Sequence, residues 1–192
     1  MDARGSRPGG RSARVREAVL GAALALLDEG RTQLSLPEIA ERAAVAPSSL
    51  YRRWGTWENL ISEALLEQSQ ATVPVPDTGT VRGDLIAFAE SLARFLATPR
   101  GAGLLRAVST GERSEAFRAA QDRFWDERFA LGRVMVERGI DRGELDPQTD
   151  PRLLLEMVVA PLHLRQLLLG DDPTLKIAEQ VDLLLTGSRR HS

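Results

Sequence analysis

The sequence predicts an all-α protein. Three observations point there: apolar residues recur at three-and-four spacing along most of the 192 residues, capping signals precede several of these runs, and no segment alternates β-branched with polar residues over a strand's length. A chain of this length buries roughly 70% of its unfolded surface, enough for one large or two small domains. It has no cysteine and only two histidines, His163 and His191, which excludes a disulfide framework, thiolate metal sites and a cysteine nucleophile. No apolar run approaches the roughly 20 residues that cross a bilayer, and "MDARGSRPGGRSAR" lacks the apolar core of a signal peptide. The expected compartment is therefore the cytoplasm, with no membrane partner.

Residues 1–12 read as a disordered basic tail. From Ala13 to Glu29 the spacing of Val15, Val19, Ala22 and Leu26 predicts a one-sided helix that Gly30 stops. "SLPE" opens a second, short helix: Ser35 as N-cap with Glu38 three residues on is a capping box, and Pro37 is tolerated in the first turn. A third helix starts at Pro47, with Leu50 and Trp54 facing inward. Gly55 breaks it, and Thr56 is placed to cap a fourth helix from Trp57 to about Ala71. "TVPVPDTGT" interrupts the pattern at 72–80. Beyond it helices are expected at about 80–97, 101–109, 114–139, 150–169 and 173–186, divided by "TPRG", "STGER", "DRGELDPQTD" and "GDDP".

Charge is distributed unevenly along the chain. Residues 1–57 carry a net +3, with nine arginines against six acids, and residues 58–192 carry −5, for a total of −2. A small anion-binding front end on an acidic body fits that split, as does ordinary charge scatter. Two short helices joined by a turn at 44–46, behind a longer one, make a helix-turn-helix. In "AVAPSSLYRRWGTWENL" the helical spacing turns Ser48, Ser49 and Arg52 outward, opposite Leu50 and Trp54. Small hydroxyls and a guanidinium at a helix start suit the major groove, because helix amides and hydroxyls bind phosphate and Arg bridges O6 and N7 of guanine. Taken by itself, the stretch is read equally well as a solvated helix face.

"SLPEIAERAAVAPSSLYRRWGTWENLISEAL", residues 35–65, resembles the helix-turn-helix of the TetR family of bacterial transcription regulators. The resemblance is specific over residues 13–65 and weak beyond. It implies a three-helix DNA-binding domain, set here at 13–57, followed at 58–192 by a larger helical domain that dimerises and often binds a small inducer. By the same resemblance Pro47, Ser48, Ser49 and Arg52 stand where the family touches bases or adjacent phosphates, Tyr51 and Arg53 at backbone-contact positions, and Ser35 where the second helix meets a phosphate. Three positions depart from the pattern. Ala44 replaces a common glycine, Ala46 a common capping hydroxyl, and Trp57 a phosphate-holding lysine, for which its indole N–H substitutes one neutral donor. Arg4, Arg7, Arg11 and Arg14 fit a minor-groove arm, or a leader without a role.

The C-terminal part offers little chemistry. Its paired acids have no histidine or glycine-rich loop nearby, and no hydrolytic, phosphate-cradling or dinucleotide motif occurs, so neither catalysis, a metal nor a cofactor is expected. Phe88, Leu92, Phe124 and Trp125 are core residues first; the resemblance makes them candidate walls of a ligand cavity between helices. His163, two residues after Pro161 in "LLLEMVVAPLHLRQLLLG", is read first as a satisfied buried histidine and second as a polar anchor in that cavity. The expected effector is hydrophobic and largely neutral. Surplus apolar surface at Leu153, Leu164, Leu168, Val181, Leu184 and Leu185 predicts a homodimer. The function expected from all this is a repressor that binds a palindromic double-stranded DNA operator as a dimer and is released by the effector, with the fourth helix as lever and the proline-broken 72–80 segment giving it room to swing. The rivals are a helical interaction module that has lost DNA affinity and, without a catalytic constellation to support it, an all-helical enzyme.

Overall fold

A computed structural model describes residues 8–31, 34–110, 115–170 and 172–187. The expectations for Arg4, Arg7 and His191 lie outside them. Among the described residues the regular elements are all helical: α1 (Pro8–Asp28), α2 (Leu36–Arg42), α3 (Pro47–Trp54), α4 (Trp57–Thr72), α5 (Val81–Leu96), α6 (Pro99–Thr110), α7 (Glu115–Asp141), α8 (Pro151–Leu164), which runs on into a π-helical turn at Arg165–Leu169, and α9 (Ile177–Gly187). None is long and apolar enough to cross a membrane. The largest boundary difference is at the front, where α1 begins at Pro8 and takes in the last residues of the expected tail. Proline suits a first turn.

Local chemistry sets the ends. Thr56 and Thr80 cap α4 and α5 by accepting from Asn59 N and Gly83 N, and Asp150 caps α8. Ser35 accepts from Glu38 N at 3.4 Å, but the Glu38 carboxylate pairs with Arg31 at 2.6 Å, so only one half of the expected capping box operates. The turn after α2 is a Schellman motif: Val45 N donates to Ala40 O at 3.0 Å and Ala44 N to Glu41 O at 3.1 Å. That geometry puts Ala44 at φ 55°, a left-handed conformation that glycine adopts without strain.

Two apolar cores form. The first gathers Val19, Leu27, Ile39, Leu50 and Trp54 from α1, α2 and α3, together with Leu60, Ile61, Ala64 and Leu65 of α4. The second is built from α5, α7, α8 and α9 around Leu85, Met135, Leu155, Val158, Leu162 and Val181. The boundary at residue 57 therefore cuts through a packed unit: the break at Gly55 ends a helix without ending a core. α4 packs on α1 and also on α7, and joins the two cores.

The segment after α4 differs from expectation in being tied down. Val73 is buried, the Arg138 side chain donates to Pro76 O at 3.0 Å, and the buried Asp84 carboxylate accepts from Thr78 N at 2.6 Å and Thr78 Oγ1 at 2.8 Å. Its prolines break the helix without leaving slack. In α8, Pro161 has no N–H for the Met157 carbonyl, and the Gln180 side chain from α9 replaces it, donating to Met157 O at 3.4 Å and Val158 O at 2.9 Å. Val181 and Leu185 are core residues and Leu184 is partly buried, because α9 turns its Ile177, Val181 and Leu185 stripe inward. The surplus leucines are instead Leu153, Leu164, Leu168, Leu169 and Leu183.

Candidate nucleic-acid interface and interior cavity

Recognition of a duplex needs a rigid helix with unengaged donors, and α3 provides both. Leu50 and Trp54 are buried, and Trp54 Nε1 donates to Glu63 Oε2 at 2.8 Å. Glu63 in turn accepts from Arg16 Nε at 2.6 Å, so α3 is clamped to both α1 and α4. Outward, Pro47, Ser48, Tyr51, Arg52 and Arg53 are exposed and Ser49 is partly buried. No side chain caps the first turn of α3, where Ala46 is the N-cap, which leaves that end open to a phosphate oxygen. Ser35 is exposed at the start of α2.

The arginines of this half sort into two groups. Arg16, Arg31 and Arg42 pair with Glu63 and Glu67, with Glu38, and with Glu29. Exposed Arg14, Arg52 and Arg53 pair with no carboxylate among the described residues, and Arg53 lies over the Trp54 ring, 5.1 Å from its centroid. Ser49, Arg52 and Arg53 line one concavity with Ser12, Val15 and Arg16 of α1, so the start of α1 lies beside the recognition helix. Trp57 stands apart from this set. It is partly buried, packs on the first core and forms part of an interior wall.

That wall belongs to a cavity of about 110 Å³ between the two cores. Phe88, Leu92, Phe124, Trp125 and His163 all line it. Trp125 meets Phe124 and His163 edge-on, at 5.2 and 5.5 Å between centroids, and stacks on Phe129 at 5.7 Å. His163 Nδ1 donates to Val159 O of its own helix at 2.8 Å, and burial holds its pKa below the ordinary value despite that bond. The ring is therefore neutral near pH 7, with its proton on Nδ1 and an acceptor lone pair on Nε2. It is a satisfied histidine and a wall residue at once.

Trp57 and Arg128 are among the wall residues that the sequence reading did not place there. Trp57 was assigned to phosphate, although its fourfold spacing with Ile61, Leu65, Ser69 and Val73, all on the wall, marks one face of α4. Arg128 follows Phe124 and Trp125 by one helical turn, a spacing that places it on their face. Its guanidinium is a cation on an otherwise mostly apolar and aromatic lining. Among the described residues no three His, Asp or Glu side chains gather as a metal site requires.

Comparison with known proteins agrees with this geometry. Residues 19–64 match the family described as "Bacterial regulatory proteins, tetR family", and residues 75–183 match "Tetracyclin repressor-like, C-terminal domain". The HTH-type transcriptional regulator AqdR of Rhodococcus erythropolis is 39% identical over 185 residues, spanning 95% of this chain and 89% of that protein. YdeS, an HTH-type transcriptional regulator of Bacillus subtilis (strain 168), is 30% identical over 90% of this chain and 87% of its own length. Among solved structures, the TetR family transcription regulator SCO0332 superposes with a TM-score of 0.76 at 25% identity, covering 92% of this chain and 99% of that one. With an unpaired arginine surface on a clamped recognition helix, and both halves matched in order, the chain belongs to the TetR family of helix-turn-helix regulators: it is a DNA-binding regulator of transcription and not an enzyme.

Proposed function

We propose that the protein represses transcription as a homodimer on a palindromic operator and leaves it when a small apolar effector fills the cavity. The observation that carries the DNA half is the contrast between paired Arg16, Arg31 and Arg42 and unpaired Arg52 and Arg53 on the exposed face of α3. Paired arginines hold the domain together; unpaired ones are available to phosphate and base edges. The dimer is supported by large apolar side chains left in water on α8, the π turn and α9, with Leu168 at 76% and Leu183 at 75% exposure. The effector is supported by the cavity's position. Its wall includes Trp57 and Glu58 of α4, immediately after the Gly55 and Thr56 that end the recognition helix. A body pressing on Trp57 changes the seat of α4, and α4 holds Trp54 through Glu63.

Titration of operator and random duplexes tests the DNA surface. Arg52→Ala is expected to cost about 1–3 kcal/mol on the operator and to relax preference at one base pair. Arg53→Ala is expected to weaken all sequences alike and to reduce the salt slope by about one unit. Equal losses on both duplexes for Arg52→Ala remove its base-reading role, and no binding by the unaltered protein to DNA flanking its own gene favours the interaction-module reading.

A further inference from the structure

An apolar site does not need a cation, yet Arg128 is on the cavity wall and only 9% exposed. Arg82, Arg100 and Arg152, all more exposed, each pair with a carboxylate. Arg128 has no such partner among the described residues. Its contacts are the Val73 carbonyl, which accepts from Nη2 at a long 3.4 Å, and the Phe88 ring, whose centroid is 5.9 Å from Cζ. A guanidinium has five N–H donors, and one long bond leaves most of that capacity unused. Burial lowers its pKa, but an arginine stays charged at neutral pH. A buried cation without a counter-charge destabilises the fold, and an apolar residue of similar volume would remove that cost.

The rest of the wall narrows what supplies the counter-charge. Glu58 lies on the first turn of α4 and Val73 just past its last, about 22 Å apart along the axis at 1.5 Å per residue, so Arg128 holds the end of the cavity remote from that acid. The Nδ1 proton of His163 is committed to Val159 O, which leaves this neutral ring no N–H for an anion. Between the two ends run Ile61 and Leu65, a slender apolar path.

We propose that the effector is an amphipathic monoanion, with an apolar body lying along the α4 face of the cavity and a single anionic oxygen head accepting hydrogen bonds from Arg128. The proposal rests on the cavity being the effector site and names the chemical class that it takes. Because Arg128 holds the carbonyl at the C-terminal end of α4, an anion that claims its donors also loosens its hold on that end.

Calorimetric titration of the full chain near neutral pH, with decanoate against decanol and naphthoate against naphthol, tests it. The expected result is that in at least one pair the anion binds about tenfold or more tighter than its neutral counterpart, a charge-assisted bond to a desolvated guanidinium. Arg128→Met is expected to abolish the preference without lowering the melting temperature of the free protein, and Arg128→Lys to retain it. Arg128→Gln replaces the methionine variant should that one not fold. Equal affinity within both pairs, with binding observed, overturns the anionic class and leaves the apolar effector site standing. Survival of the preference in Arg128→Met also overturns it. Failure of all four compounds to bind defeats the proposal and the effector reading together.

Discussion

His163 shows how one side chain reports its surroundings. Its ring is neutral when folded because burial penalises the charged form, while in the unfolded chain it titrates at its ordinary value near 6.5. With the folded pKa depressed, the unfolded state takes up the proton first as pH falls. The His163 contribution to stability is therefore fully present above about pH 6.5 and declines as pH drops below it. Urea denaturation at a series of pH values between neutral and about 5 is expected to show a loss of stability that His163→Leu lacks, whatever carboxylate background the two share. Parallel curves for the two proteins rule this out. Arg128 is the opposite case on the same wall, a group that stays charged where His163 does not.

Among the elements, the α2 to α3 turn holds the clearest local strain. Its Schellman bonds require a left-handed residue, and the chain supplies Ala44 at φ 55°. Ala44→Gly is expected to stabilise the protein by about 1 kcal/mol, since the Cβ penalty in this conformation exceeds the entropy glycine loses. Thermal denaturation measures it, and a lowered melting temperature contradicts it. The departure at Ala44 was legible in the sequence because turn chemistry is local, and so were the Thr56 cap and the inward stripe of Leu50 and Trp54. The exposed face of α3 was legible for the same reason: eight residues of one helix fix their own directions. Arg128 was not, although its spacing from Phe124 and Trp125 was in plain view. Whether a helical arginine is solvated or entombed depends on α4 and α5 packing over it, and no local pattern carries that. Val181 and Leu185 went astray likewise, because an apolar helix alone does not say which of its two leucine faces meets the core.

At the scale of the whole molecule, the leucines left in water are the expected dimer contact. Leu168→Glu combined with Leu183→Glu places charge on the exposed apolar surface of the π turn and α9 without touching the buried Val181 and Leu185. Sedimentation at micromolar concentration is expected to give a dimer for the unaltered chain and a folded monomer for the double variant, whose operator affinity falls because two half-sites about one helical turn, or a multiple of one, apart are no longer engaged together. A variant that stays dimeric moves the interface to another surface.

The seam between the two cores has a mechanical side as well. The cavity of about 110 Å³ is packed less densely than the cores on either side, and dense interiors resist compression where gaps do not. Hydrostatic pressure favours whichever state abolishes such a void. The protein without a ligand is thus expected to yield to pressure earlier than its melting temperature suggests, with fluorescence of Trp57 and Trp125, both on the wall, changing first. A ligand that occupies this space is expected to raise the pressure midpoint and to stiffen the seam between the two cores.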